Sequence, residues 1–95
     1  MSSPKAPVQP TFSKVKEDFV ERVGQVEVRL PSLTYLKPGL VRRVRRLGIA
    51  DAFHTIIELS VSADVLAVLD EMDHDEYHHL LESWQRHSGV RLGES

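Results

Sequence analysis

Asp73-His74-Asp75-Glu76-Tyr77-His78-His79-Leu80-Leu81-Glu82-Ser83-Trp84-Gln85-Arg86-His87-Ser88-Gly89 reads as a helix with both ends written into it. Tyr77, Leu80, Leu81 and Trp84 recur at the i, i+3, i+4, i+7 spacing that lines one face of an α-helix. Asp73 with Glu76 three residues on is a capping-box signature, and Gly89 supplies the stop. Towards the N-terminus, Val65, Leu66, Leu69 and Met72 repeat the spacing behind Ser62, a capping residue, with Asp64 set at the positive end. A further helix over 50–59 would bury Phe53, Ile56 and Ile57 before Ser60-Val61-Ser62 interrupts it. Another is expected from Pro38 to Leu47, with Leu40, Val41, Val44 and Leu47 on one face and Arg42, Arg43, Arg45 and Arg46 around the rest. Gly48 is expected to end it.

Upstream the period changes. Val26, Val28 and Leu30 alternate with Gln25, Glu27 and Arg29, which is a strand pattern, and Gly24 sits where a tight turn would fold Phe19 to Arg22 back on it. A hairpin is the first choice for this region. A helix from Ser13 to Val23 competes, because Val15, Phe19, Val20 and Val23 also fit helical spacing. Pro31 and Pro38 bracket an extended connector, since each proline biases the residue before it away from helix.

The fold class expected is mainly α: a small compact bundle of about four short helices, preceded by a short β-hairpin or extended segment. Residues 1–12 contain three prolines and little to bury, so they read as a disordered leader. Residues 13–90 read as a single domain and residues 91–95 as a flexible tail.

A chain of 95 residues buries only a thin core, which favours stabilisation by a partner. With no cysteine, disulfides, thiolate metal sites and cysteine nucleophiles are excluded together. No apolar run approaches the roughly 20 residues that cross a bilayer, so no membrane association is expected and the cytosol is the default compartment. The net charge of -2 hides a division: residues 1–49 carry ten Lys or Arg against four acids, and residues 50–95 carry two against ten. Such a dipole favours head-to-tail self-association, giving a homo-oligomer, or a partner of mixed charge, and disfavours a nucleic-acid duplex.

Two stretches were weighed for chemistry. His74 and His78 at i, i+4 resemble the His-Glu-x-x-His pair of zinc hydrolases, but Asp75 replaces the glutamate and no third ligand is placed by a motif. The bland alternative, a polar outer helix face, is preferred, and no metal or other cofactor is expected. The Arg42-Arg43-Val44-Arg45-Arg46 run would suit phosphates, yet the acidic half and a pI near 6.2 argue against a nucleic-acid role. With neither a nucleophile elbow nor a phosphate loop in the sequence, the chain is not expected to be an enzyme.

Residues 18–95 carry a series of signatures in a fixed order. They are Leu30-Pro31-Ser32-Leu33, then Leu36-Lys37-Pro38-Gly39-Leu40-Val41-Arg42-Arg43, Asp51-Ala52-Phe53 with Ile57-Glu58, Val65-Leu66-Ala67, Trp84, and finally Ser88-Gly89-Val90-Arg91-Leu92-Gly93-Glu94-Ser95. In this order and spacing the chain resembles the short tail assembly chaperones of long-tailed phages that infect actinobacteria. The leader has no counterpart in the resemblance. Membership would imply a non-virion protein, working in the cytoplasm of the infected bacterium, that binds the helix-rich tape measure protein and keeps it soluble for tail tube polymerisation. It would also imply a programmed frameshift near Gly93-Glu94 that makes a longer form of the chain, itself a partner. For the partner groove the expectation is Leu33, Tyr35 and Leu36 of the connector with Val41 and Val44, while Arg42 and Arg45 steer acidic stretches. The alternatives are a small structural or connector component of the virion and a nucleic-acid-binding regulator using the arginine run.

Overall fold

The computed structural model describes residues 15–90, so the expected leader and tail lie outside the described residues. Strand β1 (Phe19–Val23) pairs antiparallel with β2 (Val26–Leu30), in the register Phe19↔Leu30 and Val23↔Val26. Only Gly24 and Gln25 separate the strands, and such short loops demand positive φ at their first residue, a conformation Gly24 adopts at 59°. The competing helix over 13–23 is thereby overturned across Phe19–Val23. Pairing wins there because alternation lets β2 bury Val28 and Leu30 while Glu27 and Arg29 face water.

Four helices follow: α1 (Pro38–Val44), α2 (Ile49–Ser60), α3 (Ala63–Asp70) and α4 (His74–Ser88). The mainly helical class with a leading hairpin is therefore observed. Helix α1 is shorter than its apolar spacing suggested. It ends at Val44, and residues 45–47 form a turn in which Leu47 N–H donates to Val44 C=O at 3.0 Å. Gly48 does not cap α1 in a left-handed conformation; at φ -66°, ψ 165° it is the N-cap of α2, and its carbonyl accepts from Ala52 N–H. Leu40 and Val44 of the expected face do pack against the core, but Leu47 falls in the turn and stands exposed.

Other end signals behave as their chemistry dictates. Ser62 Oγ accepts from Val65 N–H at 3.2 Å, and Gly89 closes α4 in the left-handed region at φ 82°. Asp73 caps α4 through Asp75 N–H at 3.1 Å, the second residue of the helix, instead of bonding the third as a capping box would.

The core is a wedge between hairpin and helices. It joins Phe19, Val28 and Leu30 to Ile56 and Ile57 of α2, Leu69 of α3, and Leu80 and Trp84 of α4. Trp84 is wholly buried, with the Phe53 ring 5.7 Å away in a tilted arrangement that suits aromatic quadrupoles. Helix α1 buries no side chain completely and rests on α2, so it is the outermost helix of the set. Among the described residues no helix is long and apolar enough to cross a membrane.

Candidate partner-binding groove

The connector between β2 and α1 is held by hydrogen bonds to residues more than 50 positions later in the chain. Trp84 Nε1–H donates to Pro31 C=O at 2.8 Å, and Leu33 N–H donates to Ser88 Oγ at 2.8 Å. The Thr34 hydroxyl donates to Ser88 C=O at 2.8 Å. With that proton committed, the 3.1 Å contact between Thr34 Oγ1 and Ser32 Oγ has the Ser32 hydroxyl as donor. Ser32 Oγ in turn accepts from Thr34 N–H, and Thr34 Oγ1 accepts from Val15 N–H. Ser32 and Ser88 are both buried, and among the described residues no buried side-chain polar atom lacks a partner.

This network turns the connector outward at Tyr35, whose N–H bonds Ser32 C=O at 3.1 Å. Tyr35 is 51% exposed and stands on the wall of a concavity of about 860 Å³ between the hairpin, α1 and the end of α2. Pro31, Leu40 and Leu59 give that concavity apolar walls, and Leu59 is itself 49% exposed. Lys16, Arg29, Lys37 and Arg43 stand around it against a single carboxylate, Asp18. Arg29 is engaged by Asp18 at 3.6 Å and by Glu27 at 3.2 Å. Lys16 Nζ lies 5.6 Å over the Tyr35 ring, within cation–π reach. Among the described residues Lys16, Lys37 and Arg43 have no carboxylate within salt-bridge distance.

Of the seven residues expected to form a groove, Tyr35 alone lines this one. Leu33, Leu36 and Val44 are half-buried and pack against the core. Val41 and Arg42 on α1 and Arg45 at its C-terminal end are exposed but lie outside the concavity. Helical spacing could not assign these roles, because the side of α1 that meets α2 is fixed by a turn at 45–47 that the apolar pattern does not mark. Leu59 and Arg43 were not expected in a groove: Leu59 reads as one more apolar residue of α2, and Arg43 as one of four similar arginines.

A second concavity of about 650 Å³ lies between α2 and α4, walled by Ile49, Phe53, Tyr77 and Leu81 and edged by His54, His74 and His78. Tyr77 Oη meets His54 Nδ1 at 2.7 Å with the rings stacked. Burial, assisted by the Asp70 and then the Glu58 carboxylates, raises the Tyr77 phenol above its ordinary pKa. His78 pairs with Glu82 at 3.4 Å, and the His74 and His78 rings stack at 6.4 Å. Among the described residues no three His, Asp or Glu side chains converge as a metal site would require.

Comparison with known proteins gives no relatives. No protein-family model, no curated protein and no solved structure matches this chain. The chemistry of the two concavities is therefore read from their residues. The first presents apolar walls beside cations that have no carboxylate partner among the described residues, and the second presents apolar walls edged by histidines.

Proposed function

We propose that this chain is a tail assembly chaperone of a long-tailed actinobacteriophage, binding the tape measure protein and keeping it soluble until tail tube subunits polymerise around it. The observation that carries this reading is the groove beside Tyr35, where half-exposed Tyr35 and Leu59 lie next to cations that have no carboxylate partner among the described residues. A long amphipathic helix bound in an open groove of this kind is held by many weak contacts, which polymerising subunits can displace. The signature segments support the same reading from another direction. Pro31 and Leu33 of the first signature meet Trp84 and Ser88 of the last two in one hydrogen-bond network, so these signatures hold the connector that carries Tyr35 to the groove.

On this proposal the protein acts in the cytoplasm of the infected host and is absent from mature virions, is not an enzyme and needs no cofactor. It works with its longer frameshifted form, and the charge division along the chain favours assembly into homo-oligomers. The test is suppression of aggregation. Tape measure protein diluted from denaturant should scatter less light when this chain is present at equimolar concentration, and undiminished scattering would contradict the proposal. One second reading has an observation of its own: Arg42 and Arg43 on α1 and Arg45 just after it are all exposed, as a phosphate-binding surface would be. Duplex binding that falls steeply with salt would favour that reading. Recovery of the chain in purified virions would favour a structural or connector component.

A further inference from the structure

Resting on the chaperone reading, we infer that the groove between the hairpin, α1 and the end of α2 takes an acidic amphipathic helix. Its apolar stripe would seat on Tyr35, Leu40 and Leu59, and its carboxylates would meet Lys16, Lys37 and Arg43. Charge complementarity selects this occupant. Arg29 is already neutralised by Asp18 and Glu27, so the charge left over at the groove is positive and comes from three cations with no carboxylate partner among the described residues. A basic helix would meet like charge at each of them, and such juxtapositions are strongly unfavourable at an interface. A wholly apolar helix would leave those cations partly desolvated and unpaired.

The apolar contacts fix the form of the occupant. Tyr35 comes from the connector, Leu40 from α1 and Leu59 from the last turn of α2, so the floor is assembled from three elements, of which the connector is pinned by Trp84 and Ser88. A helix reads such a floor with residues at i, i+3, i+4 and i+7. The cations are exposed at its margins, where they act on association rate and orientation more than on the buried contact. Outside the groove, Arg42 on α1 and Arg45 and Arg46 in the turn after it are exposed cations as well. Exposed Asp75 and Glu76, which line a separate hollow beside the hairpin turn at Gly24, have the wrong sign for the same partner.

The test titrates the full chain with two synthetic helical peptides of equal length and identical leucine stripe. One carries glutamates on its flanks and the other lysines. The acidic peptide should bind, with affinity that falls as salt is raised, and the lysine peptide should bind at least about tenfold more weakly. Lys37→Glu with Arg43→Glu, both exposed positions, should weaken the acidic peptide by about tenfold or more while the thermal transition stays in place. Tyr35→Ala should weaken both peptides. Equal binding of the two peptides, insensitivity to the charge reversal, or a groove already filled by a second copy that the reversal releases would each overturn the inference. Failure here is separable from failure of the chaperone reading. Tape measure protein kept soluble equally well by the charge-reversed variant would remove the groove assignment and leave the chaperone. Peptide binding with no effect on tape measure protein would do the opposite.

Discussion

Ser88 shows how much of this fold depends on single polar atoms. Its hydroxyl oxygen accepts from Leu33 N–H in a site closed to water, so Ser88→Ala would leave a buried backbone donor without a partner. That loss should cost about 1–3 kcal/mol, read as a lower urea midpoint with an unchanged slope. Tyr77 gives a prediction in pH. Its folded pKa is raised above the ordinary 10.0, so its contribution to stability is complete below that value and is lost as pH rises through the folded value. Thermal melts should therefore fall above about pH 10, and Tyr77→Phe should flatten that fall. The residue scale is also where sequence reading reached least far. Trp84 reads as a core residue from helical spacing, and it is one, but nothing in the sequence announces that its indole N–H reaches Pro31 C=O. Contacts across more than 50 positions have no local signature.

Among the elements, the hairpin and α4 were the most legible and α1 the least, for a physical reason. Strand β2 has a strict period of two and Gly24 stands where the turn needs positive φ, whereas β1 fits helical spacing as well and takes its form from the pairing. Helix α4 has fifteen residues, a capping residue at one end and Gly89 at the other. Substituting Gly89→Ala should destabilise the protein by about 1 kcal/mol, because a Cβ is disfavoured at φ 82°; the melting temperature should drop by several degrees. Helix α1 has seven residues, no side-chain cap and no completely buried side chain. Its apolar spacing runs on to Leu47, but the chain must turn there to start α2 on Gly48, and that tertiary requirement cut the helix short. Amide exchange should follow the same order, with α1 protected least and the Leu80 to Trp84 turn of α4 protected most.

At the scale of the molecule, the sequence pattern supports a small helical bundle with a leading hairpin, and the structure has that form. The candidate groove was only partly legible. Tyr35, an aromatic residue in an extended connector with little to bury it, is exposed on the groove wall, whereas Leu33, Leu36 and Val44 lie against the core. Apolar side chains look alike in sequence whether they face inward or outward, and only packing separates them. What remains outside is a groove with apolar walls whose Lys16, Lys37 and Arg43 have no carboxylate partner among the described residues, and the proposed partner binding rests on that groove. The measurement that tests this most directly is co-expression of the chain with the tape measure protein of the same phage, followed by a sizing column. Tape measure protein that becomes soluble and co-elutes with this chain is the predicted result; tape measure protein that is equally insoluble with and without it would contradict the account.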